Sequence, residues 1–430
     1  MTTTTTTPTV KREIKVASPT RQRVMGIIFL VIGFGIWFLF SRDVEAGTYT
    51  KFGMTTGGQV ASIPDLTVPS LATLNILAGV CVVLGVVQLV RKDGFGKYTN
   101  LVLGGVVAAF VISFLTWAAA GKSINFAGLL NTTLLKAVPL TLGALSGILC
   151  ERAGVVNIAI EGMMLMGAMV ASLFASVSGS LWIGLAAGVA AGALLGLIHG
   201  VLSIKYKTDQ IISGTAINIF SIGMTSYISS KFLQVYQLQL NNPGTFQPYA
   251  IPVLSKIPFF GGILFDQNMF VYAMFLLLAL LQFGLFKTRW GLRMRSVGEY
   301  PRAADTLGIN VFRTRYISVL LGSMVAGFAG AYFTIGSVGG FDEVMTAGRG
   351  FISLAAMIFG NWIPVGAFGG SLLFGFADSL ASKLAILGVQ IPSELLLMTP
   401  YIVTMIVLAG VVGRARTPAA DGVPYEKESL

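Results

Sequence analysis

Charge is scarce in this sequence, and histidine and cysteine are nearly absent. Only 11% of its 430 residues are Asp, Glu, Lys or Arg, where a soluble chain carries about 25%. That shortage excludes an ordinary soluble domain. A single histidine, His199, excludes a multi-histidine metal site, and its place near a helix end suits packing or snorkelling. The two cysteines, Cys81 and Cys150, lie in or beside apolar runs and imply neither a disulfide framework nor a metal cluster. Acidic residues number 18 against 29 basic, a formal charge of +11. No basic stripe alternates with aromatic residues on a polar segment, so nucleic acid is not the partner. No nucleophile stands beside a base, so the chain does not read as an enzyme. Gly121-Lys122-Ser123 imitates a phosphate-binding loop, but position 116 is Thr, where such a loop needs glycine; no nucleotide site is found.

What is abundant is apolar surface. Hydrophobic residues make up 54% of the chain and the mean hydropathy is +0.80. The fold class is therefore all-α, a polytopic transmembrane helical bundle, since every backbone group in lipid must bond within the protein. Apolar runs at 24–40, 71–90, 101–120, 134–150, 163–177, 181–204, 211–230, 268–286, 317–334, 351–362, 370–386 and 395–412 give about twelve crossings, some of them broken or short. Lys and Arg concentrate at 91–97, 205–207, 287–316 and 414–416. Basic loops stay inside, so both termini are expected in the cytoplasm of a multi-pass cell-membrane protein. Residues 1–23, Thr-rich and then basic, read as a disordered cytoplasmic tail, and 413–430 as a second cytoplasmic tail.

Three stretches carry information beyond topology. The first is 287–316, where seven Lys or Arg face only Glu299 and Asp305. Inside it Pro301 suits a first helical position and Gly308 a stop. Ala303 and Leu307 share one helical face, Tyr300 and Ala304 another. A short helix on such a loop can dock into a partner's groove; the plainer reading is a solvated loop that sets topology.

The second stretch, ERAGVVNIAIEG at 151–162, puts Glu151, Arg152, Asn157 and Glu161 where membrane would otherwise continue. Charge at mid-bilayer costs about 2.5–3.5 kcal/mol on insertion scales, so such groups face a cavity or each other. A tight turn before a new helix and a broken intramembrane helix both fit. These residues then either line a substrate path or form an ion pair that holds helices together. The third stretch is 351–362, too short to span, ending at Asn361-Trp362-Ile363-Pro364. Short Gly/Pro-interrupted segments point to transporter sites, so Asn361 and Trp362 are path candidates. Asp378, a lone carboxylate in the next run, is either functional or an interhelical hydrogen-bond partner. Glycines 184, 188, 192, 196 and 200 form a seam for close helix packing, and Gly322, Ala326 and Gly330 form another.

LGALSGILCERAGVVNIAIEGMMLMGAM (142–169), DQIISGTAINIFSIGMTSYI (209–228), GEYPRAADTLGINVFRTR (298–315) and the 345–380 stretch opening MTAGRGF resemble permease subunits of ATP-binding-cassette importers. The branch is the one serving branched-chain amino acids, ribose-type sugars and nucleosides, and the likeness is greatest to nucleoside permeases. The resemblance implies a type II-like importer permease core over 121–412. Residues 24–120 would be extra helices of unknown role. The 287–316 loop would hold a coupling helix, with Glu299, Pro301, Ala303, Ala304, Leu307 and Gly308 seated on a cytoplasmic ATPase. Glu151, Arg152, Asn157, Glu161, Asn361, Trp362 and Asp378 would lie at or near the path, Trp362 stacking on the nucleoside. The chain itself would need no cofactor, ATP being bound by the ATPase. The other partners implied are a second, similar permease and an extracellular substrate-binding lipoprotein. Two other readings stay open: a simple-sugar or amino-acid permease of the same branch, and an ion-coupled carrier using Glu161 and Asp378.

Overall fold

The computed structural model describes residues 19–56, 63–91, 93–388, 398 and 416–427. The tail at 1–18 and the run at 395–412, apart from Met398, lie outside the described residues. Ten described helices are long and apolar enough to cross a membrane, and an eleventh, Arg349–Phe359, is apolar but short. The protein is therefore multi-pass and helical.

The chain divides into two compact units, one of Met1–Met54 and Pro64–Asn125, the other of Thr55–Ile63 and Phe126–Leu430. In the first, α1 (Pro19–Gly35), α2 (Ser70–Val90) and α3 (Thr99–Ala118) pack around Phe29, Leu74, Cys81 and Val106. Strand β1 (Tyr49–Gly53) pairs antiparallel with β2 (Leu66–Pro69) and parallel with β3 (Ser123–Asn125). The Gly-Lys-Ser decoy thus runs into a strand.

The second unit begins with α4 (Phe126–Glu151), α5 (Ile160–Ser178), α6 (Leu181–Gly200) and α7 (Gln210–Ile228). Two short helices follow, α8 (Gln237–Leu240) and α9 (Phe260–Leu264), then α10 (Met269–Lys287), α11 (Arg289–Glu299) and α12 (Pro301–Thr306). Helices α13 (Val311–Phe333), α14 (Arg349–Phe359) and α15 (Pro364–Leu387) complete it. Polar caps start several of them. Asp209 Oδ1 accepts from the amides of Ile211 and Ile212 at 2.8 and 3.0 Å, and Asn310 Oδ1 accepts from Arg313 N at 2.9 Å. Each supplies an acceptor to first-turn amides that have none inside the helix.

Helices α4, α5 and α13 form the inside, with α4 89% buried over its apolar window against 22% for α10. Lipid tails are as apolar as leucine, so burial of apolar surface does not drive these helices together; close van der Waals approach does. The 184–200 seam makes that approach. A methyl at Gly192 would lie 2.5 Å from Ser323 O, and one at Gly167 2.7 Å from Gly327 O, closer than carbon and oxygen can come. Gly322 and Gly330 face α4 and α5 instead. The face of α13 that meets α6 is a different one, Ser323 and Gly327.

Candidate functional site

The 287–316 loop folds as two helices: the expected short one, Pro301–Thr306, and before it an unexpected one, α11. Thr288 Oγ1 caps α11 by accepting from Gly291 N at 3.2 Å. Pro301 opens α12, and Gly308 stops it at φ +80°, a conformation that costs glycine little. The two faces of α12 differ. Leu307 is 80% exposed and Tyr300 62%, whereas Ala304 is 2% exposed and packs with Val297, Val311 and Tyr425. Tyr300 does not share Ala304's face because it precedes the helix with extended backbone (φ −149°, ψ 86°). The outward surface is thus Tyr300, Leu307 and the partly exposed Ala303, not Ala304.

The 151–162 break is a turn at Arg152–Gly154 followed by non-helical chain to Ala159, not a continuous broken helix in which the polar groups face a cavity. Asn157 is fully buried. Its Oδ1 accepts from Ala159 N at 3.1 Å, and its amide lies against the sulfurs of Cys150 and Met163. The freed backbone is satisfied from α6 and α7. Gln210 Oε1 accepts from Val156 N at 2.7 Å. Asn218 accepts from Gly162 N at 2.8 Å and donates to Ile158 O at 2.9 Å. His199 Nε2 lies 2.9 Å from Val156 O, and Nδ1 lies 3.1 Å from Ser213 Oγ. A carbonyl only accepts, so Nε2 carries the proton and Nδ1 accepts from the serine. Sequence reasoning missed Gln210, Asn218 and this role of His199. The signal was available: Gln210, Ser213, Asn218, Ser221 and Thr225 are the buried polar positions of α7, spaced at three to five residues along an otherwise apolar run.

Glu151, Arg152, Asn361 and Trp362 come together. Trp362 Nε1 donates to Glu151 Oε2 at 2.6 Å. Arg152 donates to Trp362 O at 3.0 Å and to Asn361 O at 3.3 Å. Asn361 and Trp362 both sit at positive φ, 54° and 53°, which asparagine tolerates and tryptophan does not. Such strain costs about 1–3 kcal/mol per residue and persists only when surroundings hold it; the Glu151–Arg152 clamp does so. Trp362 is 3% exposed, so its ring has no face for a solute. Burial pulls the Arg152 guanidinium below its ordinary range, with Glu299 opposing the shift.

Glu161 is spent on architecture as well. Its Oε1 accepts from Thr346 Oγ1 at 2.6 Å and from Gly348 N at 2.9 Å, and Oε2 accepts from Gly350 N at 2.6 Å. The carboxylate sits at the positive end of α14, where a negative charge is favoured.

Asp378 differs. Its Oδ1 pairs with Lys136 Nζ at 3.1 Å and its Oδ2 lies 3.9 Å from Arg349 Nη2. Lys136 also donates to Ser382 Oγ at 2.7 Å. The three charged side chains keep 24–34% of their surface exposed, although Lys136 and Asp378 stand well inside α4 and α15. Among the described residues, Asp378 is the path candidate that forms salt bridges while keeping part of its surface exposed.

The sequence matches the family model described as branched-chain amino acid transport system / permease component over residues 129–411. It is 42% identical over 304 residues to a guanosine ABC transporter permease protein of Bacillus subtilis (strain 168), covering 69% of this chain and 95% of that protein. It is 41% identical over 307 residues to a nucleoside ABC transporter permease protein of Lactococcus lactis subsp. cremoris (strain MG1363), covering 68% and 95%. A putative glucose ABC transporter permease protein of Haloferax volcanii is 34% identical over 254 residues, covering 59% and 77%. No solved structure matches. With two-thirds of its length inside the family's pattern, the chain belongs to the branched-chain amino acid transport system permease component family.

Proposed function

We propose that this chain is one permease half of an ATP-driven importer that moves nucleosides into the cell. The observation that carries the reading is 41–42% identity along nearly the whole length of two permease proteins named for guanosine and for nucleosides. ATP is hydrolysed by a cytoplasmic ATPase. A second, similar permease completes the path, and an extracellular lipoprotein delivers solute. The basic 287–316 end faces the cytoplasm by the positive-inside rule, and both termini lie there. There α12 offers Leu307 and Tyr300 to the ATPase, an exposed apolar side chain and an aromatic on a short helix suited to a groove.

The path is better supported at Asp378, Lys136 and Arg349 than at Asn157, Glu161 or Trp362, whose polar atoms are bonded inside the protein. A charged cluster midway along two membrane helices does not face lipid, so its exposed side belongs to a water-filled path or to the second permease. A neutral nucleoside needs donors and acceptors for hydroxyls and base edges, and this cluster has both. Competition uptake tests the reading. Unlabelled guanosine or adenosine in excess should block uptake of labelled nucleoside, and ribose or glucose should not. Blockade by the sugar alone would replace this assignment with a sugar permease, the reading that the Haloferax relative keeps open.

A further inference from the structure

The segment 416–427 is short of regular structure, yet it touches five separate parts of the second unit. Arg416 N donates to Asn361 Oδ1 at 2.9 Å, at the α14–α15 turn. Ala420 N donates to Gly298 O at 2.8 Å, and Ala419 N to Glu299 Oε2 at 3.3 Å, at the end of α11. Asp421 lies beside Glu151 at the end of α4, two carboxyl groups sharing one partly buried site. Val423 O accepts from Arg315 Nη1 at 2.9 Å, on α13. Glu426 pairs with Lys207, in the loop between α6 and α7. Between these ties Tyr425, 6% exposed, fills the space under α12 against Val297, Ala304 and Val311, with its ring 5.4 Å from that of Phe312.

Helix α12 has six residues, far below the length at which a helix holds itself together in water. Its position is therefore set by what lies beneath its buried face, and Tyr425 is a large part of that. The segment that seats α12 also bonds the strained Asn361 turn and sets Asp421 beside the α4 terminus. A push on α12 thus has a contact route to the two helices, α4 and α15, that carry Lys136 and Asp378.

We propose that residues 416–427 are a transmission strap. Tyr425 is a positioning residue that couples displacement of α12 to α4 and to the α14–α15 turn. The inference rests on the transport reading above.

The test uses the complete transporter (this chain, its permease partner, the ATPase and the binding protein) in vesicles, and reads nucleoside imported per ATP hydrolysed. With Tyr425→Ala the ATPase should stay bound and hydrolyse within about twofold of the parent rate, while import per ATP falls tenfold or more. Tyr425→Phe, which keeps the ring, should restore most of it. An unchanged ratio for Tyr425→Ala, or an equal loss for Phe and Ala, overturns the strap. Should Tyr425→Ala not assemble, the exposed pair gives a second arm. Lys207→Glu should lower import per ATP about twofold, in keeping with an exposed ion pair, and Lys207→Glu with Glu426→Lys should restore it; no loss, or no restoration, overturns the proposal. The parent complex separates the two ideas: ATP-dependent import by the parent with full coupling in every variant removes the strap and leaves the transporter, whereas no import by the parent removes the transport reading itself.

Discussion

Removing the Glu161 carboxylate should destabilise the protein rather than retune its solute. Its two oxygens accept three hydrogen bonds, from Thr346, Gly348 and Gly350, in a site where the side chain is 4% exposed. A buried bond to a charged group contributes about 1.5–3 kcal/mol, and a donor left unpaired costs about 1–3 kcal/mol. Glu161→Ala leaves two backbone amides and one hydroxyl without an acceptor, a loss of about 3–9 kcal/mol by those values. At about 2 °C per kcal/mol for a unit of this size, the midpoint of thermal unfolding in detergent should fall on the order of 10 °C. Glu161→Gln recovers part of that loss at most, because its amide nitrogen meets donors where the second oxygen stood. The assay is unfolding followed by tryptophan fluorescence, with nucleoside uptake at a temperature where both variants remain folded. A midpoint within about 2 °C of the parent, together with uptake whose half-saturation moves tenfold, would show the carboxylate in the path and refute its assignment as a helix cap.

Other expectations divide among the two ends of the second unit. Leu307→Arg should leave the chain folded in the membrane and abolish co-purification of the ATPase. Ala304→Arg should instead lower the unfolding midpoint, since Ala304 packs inside the chain; equal stability for the two variants would contradict the face assigned to α12. Asp378→Asn should reduce nucleoside uptake at least tenfold without releasing the ATPase, because Lys136 and Arg349 lose their counter-charge, and Lys136→Met with Asp378→Asn should recover part of it; unchanged uptake removes the cluster from the path. Burial pushes the Asp421 carboxyl up to about 7, with the Glu151 hydrogen bond and the Arg315 charge opposing the shift. A raised value means the seated strap holds a proton that the released strap gives up, so its seating is firm below about pH 4 and weakens as pH rises through about 7. Hydrogen exchange of 416–427, corrected for the intrinsic pH dependence, should therefore show less protection at pH 8 than at pH 5.5. Asp421→Asn should flatten that difference, and a difference that survives the substitution assigns it elsewhere.

The membrane helices were legible because length and hydropathy alone specify them. Helix α12 was legible because Pro301 and Gly308 mark its ends, whereas α11, capped by Thr288, was not read from the sequence. The seams on α6 and α13 were both visible, but not that Gly322 and Gly330 pack on α4 and α5 while Ser323 and Gly327 meet α6. Spacing identifies which small residues align, and only packing tells which of two adjacent stripes meets which neighbour. The 151–162 break was found and its polar residues were then read too generously. Sequence shows that Asn157, Glu161 and Glu151 interrupt an apolar run; it does not show that Gly350, Ala159 and Trp362, distant or near in the chain, already bond them. In the sequence Lys136 is one charge inside the 134–150 apolar run and Arg349 one letter in MTAGRGF. Their meeting with Asp378 depends on three helices converging.

Transport against a gradient in defined vesicles tests the central claim most directly. The account predicts that guanosine accumulates above its outside concentration only when this chain is joined by its permease partner, the ATPase, the binding protein and ATP. Accumulation by this chain alone, abolished by an uncoupler and indifferent to ATP, would contradict it.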